Sequence, residues 1–286
     1  MVTLSPRLYG CAAAALLVAC AHTTNLLDPA GHRFTGAYAL LAADSAATGP
    51  IRIVTFNVKL ARRIDRAIEV LQSDSLRGAD IITLEEMDDK GADRIARALH
   101  LNYAYYPGSI HPTERRYFGP AVLSRWPIER SWKVLLPHQS RTRHQRRTAT
   151  AAEIIVRGTK IRVYGVHLET PGGAPDAVRE DQMRTVLADA SPFDGPVVIA
   201  GDFNSYGIGV FLEHRGYRWL TRRIDPTISI FTWDHVFVRG LRPAGPASAG
   251  VVRQVHGASD HRPVWTVVVP DAANPRPGVA GASPAR

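Results

Sequence analysis

The stretch Val197–Asn204, VVIAGDFN, decides the fold and locates a candidate site. Its apolar first half predicts a buried strand, and Gly201 allows the chain to turn where that strand ends. Asp202 and Asn204 are separated by one residue, so both side chains can point to the same side of the strand end. A carboxylate beside an amide suits a water molecule that must be held and deprotonated. The stretch therefore predicts a polar site at one edge of a sheet.

Short apolar runs alternate with helical spacing on both sides of this stretch. Helices are predicted at residues 63–73, 92–99, 175–190 and 209–214. Strands are predicted at residues 51–57, 81–84, 121–124, 132–136, 148–156, 161–167, 197–200, 234–238, 251–255 and 264–269. Early strand–helix units followed by strand pairs indicate mixed sheets instead of one parallel sheet. We predict one α/β domain over residues 51–270, with two packed sheets and outer helices.

The N-terminus has the features of a bacterial export signal over residues 1–19, with an apolar run too short to span a bilayer. The run ends in LVAC at residues 17–20, which resembles a lipobox. We expect a lipidated Cys20 to anchor the protein to the cell envelope, on its periplasmic side or at the outer membrane. Ordinary cleavage and secretion is the alternative. Residues 20–50 are predicted to be a linker, and residues 271–286 a disordered tail.

The overall composition fits a soluble globular domain, because 45% of the residues are hydrophobic and 21% are charged. The formal net charge is +9, which favours anionic partners such as nucleic acid, phospholipid surfaces or phosphate esters. An Arg-rich genomic composition explains the same charge equally well. The only cysteines are Cys11 and Cys20, so a chain that starts at Cys20 has no internal disulfide and must be stable through its core.

Two further segments place polar groups beside predicted strands near the C-terminus. In ASDHRPV, Asp260 can bind a metal, and His261 can donate to a phosphate oxygen or exchange a proton. Asp234 opens the strand WDHVFV, where a buried carboxylate can orient His261. Taken singly, each segment fits an ordinary capped loop or a packed side chain equally well.

Three more segments end in polar residues in the first half of the chain. ADIITLEEM ends in Glu85 and Glu86, one of which should face the site. Asn57 closes the strand that contains TFN, and His167 stands at a strand end in VHLET. Hard oxygen ligands of this kind suit Mg²⁺, which keeps several waters and needs few protein ligands. Alone, each residue is equally well explained as a turn or structural residue.

Together, and in this order, these pieces resemble the endonuclease/exonuclease/phosphatase superfamily, which includes DNase I-like nucleases, neutral sphingomyelinases and inositol-polyphosphate 5-phosphatases. The matching pieces between residues 51 and 269 are TFN, DIITLEEM, FGPAVLSRWPI, VHLET, GDFN, DHVFV and SDHRPV. The resemblance implies a four-layer α/β/β/α sandwich of two mixed sheets flanked by helices, with the site at one edge. Glu85 occupies a place where the family commonly has Gln, whereas Glu86 fits the family's acid.

The resemblance also implies a role for each site residue. The residues implied on the metal side are Asn57, Glu86 and Asp260, with Glu86 as the principal Mg²⁺ ligand and Mn²⁺ as a possible substitute. The residues implied to act on the substrate are His167, Asp202, Asn204, Asp234 and His261. Asp202 is implied as the general base, and His261, oriented by Asp234, as the group that stabilises the transition state. Asn204 is implied to position water and phosphate, and His167 to contact the scissile phosphate.

The substrate is less well defined by the sequence. Arg147, at the end of the basic stretch RTRHQRR, and Arg179, on a predicted helix, are candidate substrate contacts. Solvated loop arginines are an equal explanation, and Arg179 could instead cap neighbouring loops. We expect a monomeric phosphodiester hydrolase of nuclease type. The alternatives are a membrane-associated sphingomyelinase or phospholipid phosphodiesterase, an inositol-phosphate phosphatase, and a catalytically silent envelope binding lipoprotein.

Overall fold

The computed structural model describes residues 23–40 and 49–271. The strands of this part are β1 Thr24–Asn25, β2 Phe34–Gly36, β3 Ile51–Asn57, β4 Ile81–Met87, β5 Asn102–Tyr105, β6 Ser109–Ile110, β7 Tyr117–Ser124, β8 Ile128–Leu135, β9 Thr148–Val156, β10 Thr159–His167, β11 Val197–Asp202, β12 Arg218–Trp219, β13 Asp234–Arg239, β14 Leu241–Pro243, β15 Ala249–Val251 and β16 Val264–Pro270. The helices are α1 Ile64–Leu71, α2 Asp89–Leu99, α3 Asp176–Ala190 and α4 Gly207–Glu213. The predicted export signal, Cys20 and nearly all of the predicted tail lie outside the described residues.

The strands of the described residues form two mixed sheets. The first sheet has the order β1-β6-β7-β4-β3-β16-β14, with β5 on β7, β2 on β5 and β15 on β16. The second has the order β12-β13-β11-β10-β9-β8. Among the strands of the described residues, β3 with β4 and β10 with β11 are the two pairs that run in parallel, and each of them is central to its sheet. The prediction of mixed sheets is confirmed.

Three apolar layers hold the sheets and helices together. One cluster, which includes Phe56 and Ile95, lies between the first sheet and helices α1 and α2. A second, which includes Met183 and Phe237, lies between the second sheet and helices α3 and α4. The third, which includes Ile53 and Val198, lies between the two sheets. The predicted four-layer α/β/β/α sandwich is therefore confirmed.

The alternation of side chains along each strand decides which residues face the other sheet. In β3, Ile51 and Ile53 pack between the sheets whereas Val54 and Phe56 pack under the helices. In β13, Val236 and Val238 pack between the sheets whereas Phe237 packs outward. The same alternation directs the last residue of β3 and the first residue of β13, Asn57 and Asp234, towards the space between the sheets.

The predicted linker over residues 20–50 is wrong for the part that the structure describes. Residues 24–25 pair with β6, and residues 34–36 pair with β5 at the edge of the first sheet. The Phe34 ring lies 5.9 Å from the Tyr105 ring and 5.3 Å from the Tyr117 ring. Strands of two or three residues are too short to show a period of two, so the sequence pattern did not reveal them.

The strand predicted at residues 251–255 is also largely wrong, because β15 ends at Val251 and residues 252–255 form a loop. Here the apolar residues Val252 and Val255 flank a stretch in which Arg253 turns out to pair with Asp225, 2.8 Å away. No helix of the described residues has the length and hydropathy needed to cross a membrane.

Candidate active site

The polar residues predicted from strand ends meet at one edge of the sandwich. Parallel β3 and β4 end there, as do parallel β10 and β11 in the other sheet. The antiparallel strands β9, β13 and β16 begin at the same edge, because Ala149 pairs with Val166, Asp234 with Asp202 and Val264 with Thr55. The register of β11 with β13 sets Asp202 directly opposite Asp234.

Asn57 joins the two sheets at this edge. Its side-chain Nδ2 donates to Asp202 Oδ2 at 3.0 Å and lies 3.5 Å from Glu86 Oε1. Its Oδ1 accepts the backbone N–H of Lys59 at 3.0 Å. Asn57 is 1% exposed, so these hydrogen bonds are shielded from water. The side chain lies beside Glu86 as predicted and acts here as a donor to two carboxylates, and its role as a metal ligand remains a prediction.

His261 lies between two buried carboxylates. Its Nδ1 donates to Asp234 Oδ2 at 2.9 Å, and its Nε2 lies 3.7 Å from Asp202 Oδ2. Burial alone would lower the pKa of His261, but the charges of Asp234 and Asp202 outweigh it and raise the pKa to about 10. Burial also raises the pKa of Asp202 to about 7, although the His261 imidazolium opposes that rise. A cationic His261 thus faces an Asp202 that exchanges its proton near neutral pH.

His167 closes the other side of Asp202, with its Nε2 3.5 Å from Asp202 Oδ2. Burial, together with the neighbouring Arg147 charge, lowers the pKa of His167 well below 6.5, so the ring is neutral. Arg147 Nη1 lies 3.1 Å from His167 Nδ1, and Arg147 Nε lies 3.4 Å from Glu169 Oε2. The predicted substrate contact Arg147 is therefore at the site, and a neutral His167 is suited to hydrogen bonding rather than to carrying charge.

Asn204 follows the strand end in a left-handed backbone conformation, with φ of 51°. Its backbone N–H donates to Asp202 Oδ1 at 2.9 Å, and its Nδ2 donates to the Leu168 carbonyl at 3.1 Å. These bonds fix the Asp202 carboxylate and tie the loop after β11 to the loop after β10. The predicted proximity of Asn204 to Asp202 is thus observed.

The adjacent acids Glu85 and Glu86 have different surroundings. Glu85 continues the alternation of β4, faces the space between the sheets and is fully buried, with Thr55 Oγ1 donating to it at 3.1 Å. A break in the pairing of β4 with β7 follows Leu84, and Glu86 has a φ of 58°. This bulge turns Glu86 to the cleft, half-buried, where its Oε2 accepts the Leu60 N–H at 2.9 Å. Of the two acids, Glu86 faces the site.

The surroundings of Glu85 lead to a prediction about the stability of the protein. Burial raises the pKa of the Glu85 carboxyl well above 4.5, and Asp234 and Asp202 raise it further. An acid with a higher pKa in the folded state destabilises that state at every pH above its unfolded pKa, about 4.3. We expect Glu85→Gln to raise Tm by at least about 2 °C at pH 8. The gain should vanish near pH 4, where both states are protonated. Thermal unfolding at the two pH values measures this.

Glu153→Gln is the matched control. Glu153 is also buried, but its carboxylate lies 2.8 Å from Arg162 Nη2. Burial works against the charge, yet the hydrogen bond to Arg162 prevails and the pKa of Glu153 is lowered. This substitution should therefore lower Tm at pH 8. If Glu85→Gln and Glu153→Gln change Tm at pH 8 by the same amount and in the same direction, the assignment of a neutral Glu85 is contradicted.

The oxygen donors at the mouth of the cleft fit a divalent cation. Glu86 is half-buried and Asp260 is exposed. Asn57 borders both, because its Nδ2 lies 3.5 Å from Glu86 Oε1 and its carbonyl accepts the hydroxyl of Ser259, the residue before Asp260, at 2.7 Å. Such hard carboxylate oxygens beside open solvent suit Mg²⁺ or Mn²⁺, which keep bound waters. A divalent cation on Glu86 and Asp260 is thus compatible with the residues present.

Asp202, Asp234 and His261 also offer ligand atoms within 4.8 Å of one another. The same residues are joined to one another, because His261 Nδ1 donates to Asp234 Oδ2 at 2.9 Å and His261 Nε2 lies 3.7 Å from Asp202 Oδ2. We therefore interpret this buried group as a hydrogen-bonded network.

Arg179 is engaged by the loop between β10 and α3, and its role as a substrate contact stays a prediction. The side chain is 4% exposed, with an ion pair to Asp176 and hydrogen bonds from Nη1 to the carbonyls of Glu169 and Ala174. It therefore caps the loop between β10 and α3, which is the alternative that the sequence left open. Helical spacing fixes the face of a helix but not the distance of that face from a site.

Two site residues were missed by sequence reasoning. Thr227 Oγ1 accepts the backbone N–H groups of Trp233 and Asp234 at 3.1 and 3.2 Å, and so positions the start of β13. Lys59 Nζ lies 2.8 Å from Asp260 Oδ2. Thr227 lies far from any motif, but Lys59 is two residues from Asn57 and could have been noticed as the basic residue nearest that strand end.

Comparison with known protein families finds a match over most of this chain. The family model described as Endonuclease/Exonuclease/phosphatase family matches residues 54–261. No match was found among curated proteins.

Several solved structures share the fold at low sequence identity. An endonuclease/exonuclease/phosphatase from Beutenbergia cavernae is 19% identical, with a TM-score of 0.62, over 78% of this chain and 72% of that chain. D. rerio TDP2 complexed with single strand DNA product is 18% identical, with a TM-score of 0.62, over 78% and 100%. Sphingomyelinase C from Streptomyces griseocarneus is 20% identical, with a TM-score of 0.58, over 77% and 99%.

Proposed function

Because this chain belongs to the endonuclease/exonuclease/phosphatase family, we propose that it is a Mg²⁺-dependent phosphodiester hydrolase of nuclease type. The observation that supports this most strongly is the placement of Asp202 between the donor Asn57 and the cation His261, 3.0 and 3.7 Å away. A carboxylate that exchanges its proton near neutral pH can activate water, and a fixed imidazolium can stabilise the anion that forms.

In the proposed reaction, Asp202 accepts a proton from the attacking water while Asn57 Nδ2 and the Asn204 N–H hold its two oxygens in place. His261 donates from Nε2 to a phosphate oxygen as negative charge develops, and Asp234 keeps its ring oriented through Nδ1. Neutral His167 donates a further hydrogen bond to the phosphate or to the leaving oxygen. A divalent cation held by Glu86 and Asp260 would supply positive charge that offsets the charge of the phosphate.

A basic rim supports a polyanionic substrate. Arg141, Arg143 and Arg146 precede the buried Arg147, which contacts His167, so the stretch leads from the surface into the site. Arg141 and Arg143 are exposed. Successive phosphates of a nucleic-acid strand can neutralise charges spaced in this way, whereas a single small phosphate ester cannot reach them all. We propose nucleic acid as the preferred substrate on this ground.

A substrate panel tests the proposal. We expect the purified protein to cleave plasmid or single-stranded DNA or RNA with Mg²⁺ or Mn²⁺, and to lose this activity in excess EDTA. Raising the salt concentration should weaken binding steeply, because contacts to phosphates release counterions. If the protein cleaves none of the four substrates (DNA, RNA, sphingomyelin vesicles and inositol phosphates) with either metal, the proposal is contradicted and a catalytically silent binding protein is favoured.

A phospholipid or sphingomyelin phosphodiesterase is the second candidate, and one surface feature favours it. Ile230 is 78% exposed and Phe231 is 48% exposed, on a tight turn at residues 228–231. Ile228 in this turn pairs with His261, so the apolar tip borders the site. Exposed apolar side chains in such a place suit contact with a lipid surface. In the same panel, vesicle hydrolysis that is faster than DNA cleavage and is lost in Ile230→Ser would select this candidate.

A further inference from the structure

The loop that follows Asn57 has an unusual backbone. Lys59, Leu60 and Ala61 all have positive φ, of 47°, 59° and 50°. Non-glycine residues rarely adopt this conformation because the side chain crowds the backbone, and three in succession persist only when surrounding contacts enforce them. Such strain collects at functional sites, so the contacts of this loop indicate what it is built to do.

Two of the contacts that hold this loop come from the site. The Lys59 N–H donates to Asn57 Oδ1 at 3.0 Å, and the Leu60 N–H donates to Glu86 Oε2 at 2.9 Å. Arg116 Nη2 donates to the Leu60 carbonyl at 2.9 Å. The loop is therefore fastened to the proposed cation ligand Glu86, and its conformation places Lys59 at the mouth of the cleft.

The Lys59 side chain ends on a second proposed cation ligand. Its Nζ lies 2.8 Å from Asp260 Oδ2, with the two side chains 44% and 47% exposed. An ion pair with this much solvent contact is weak and exchanges readily. The neighbouring basic side chains are committed elsewhere, since Arg62 pairs with Glu114 and Arg63 Nη1 donates to the Gly257 carbonyl at 3.1 Å. Of the basic side chains Lys59, Arg62 and Arg63, it is Lys59 that pairs with Asp260, a proposed ligand of the cation.

We propose that Lys59 is an exchangeable counter-ion. It neutralises Asp260 while the site lacks a cation, and it turns to a phosphate oxygen of the substrate once a divalent cation takes that carboxylate. Like charges cannot share Asp260 without mutual repulsion, and the flexible four-carbon stem of lysine lets its ammonium move to a nearby anion. The phosphate half of this inference rests on the proposed function, whereas the competition with the cation does not.

The inference predicts opposite effects of one substitution on two ligands. In Lys59→Gln, we expect Mn²⁺ binding, measured by electron paramagnetic resonance without substrate, to be about threefold to fivefold tighter, because Asp260 loses its competing partner. Inorganic phosphate binding to the Mn²⁺-loaded protein, measured by calorimetry, should weaken by at least about tenfold, because a charged donor is lost. Lys59→Arg, which keeps the charge, should stay near wild type for both ligands.

Lys160→Gln is the matched control, because Lys160 also forms exposed ion pairs, with Glu129 and Glu153, but lies at the opposite end of β10 from the site. It should change neither affinity, and thermal unfolding should show that all variants fold. Unchanged or weaker Mn²⁺ binding in Lys59→Gln would overturn the competition. Unchanged phosphate binding would overturn the exchange. If the wild type binds Mn²⁺ and responds to Lys59→Gln but cleaves no phosphodiester, the proposed function fails and the competition with the cation stands.

Discussion

Replacing Asp202 by Asn lowers kcat by at least about 10²-fold, the contribution expected of a general base. Asp202 is 1% exposed and accepts hydrogen bonds from Asn57 Nδ2 and the Asn204 N–H, so its carboxylate is fixed before substrate binds. Asn has the same size and keeps one acceptor oxygen, but it cannot take a proton from water. Steady-state kinetics on a chromogenic phosphodiester with saturating Mg²⁺ measures the loss.

Asp80→Asn is the control for this substitution. Asp80 is also buried, and burial raises its pKa, but it lies before β4 at the other end of the sandwich and binds the Arg52 N–H at 2.8 Å. We expect Asp80→Asn to keep wild-type kcat even if its Tm falls. A folded Asp202→Asn protein with the kcat of Asp80→Asn would remove Asp202 from the catalytic group.

We expect the replacement of His261 by Gln to lower kcat by at least about 10²-fold as well, because the imidazolium stabilises the negative charge that develops on the phosphate. The wild type should be most active between the pKa of Asp202, about 7, and that of His261, about 10. Below this window Asp202 is protonated and cannot act as a base. Above it His261 has lost the proton that it donates. The two values belong to the interacting pair.

The pH profile separates this role of His261 from a structural one. Gln cannot be cationic, so the His261→Gln protein should lose the alkaline fall in kcat. Its acidic fall, which comes from Asp202, should remain but move to higher pH, because the cation that lowers the pKa of Asp202 is gone. Its Tm should fall, because the buried carboxylates of Asp234 and Asp202 lose the charge that stabilises them, so kcat is compared at a temperature at which the variant is folded. A His261→Gln profile with both limbs of the wild type, merely scaled down, would contradict the assignment of His261 as the proton donor.

Much of the fold follows from local patterns. The β-branched residues of Ile51–Asn57 and the apolar residues of Asp234–Arg239 predict both strands. Helix α3 was predicted to within one residue, because Met183 and Val186 recur at helical spacing. The strands at residues 24–25 and 34–36 were not predictable, since their pairing partners lie roughly seventy to ninety residues away and they are too short to show a period.

The site was predictable in composition but not in detail. Strand-end polar residues such as Asn57, His167 and Asp202 do converge, because parallel strand ends in both sheets share one edge. The choice of Glu86 over Glu85 depends on a bulge, which is a relation between two strands. Contacts made by long side chains, such as that of Lys59 with Asp260, depend on loop conformations that no sequence period encodes.

The central claim is that this edge hydrolyses a phosphodiester with a divalent cation and with Asp202 as the base. Its most direct test is the kcat of the wild type and of Asp202→Asn on one phosphodiester, each with Mg²⁺ and again in excess EDTA. We predict that the wild type turns over substrate with Mg²⁺ and not in EDTA. With Mg²⁺, the kcat of the variant should be about 1% of the wild-type kcat or less. Turnover by the wild type that persists in EDTA, or equal turnover by both proteins with Mg²⁺, would contradict the claim.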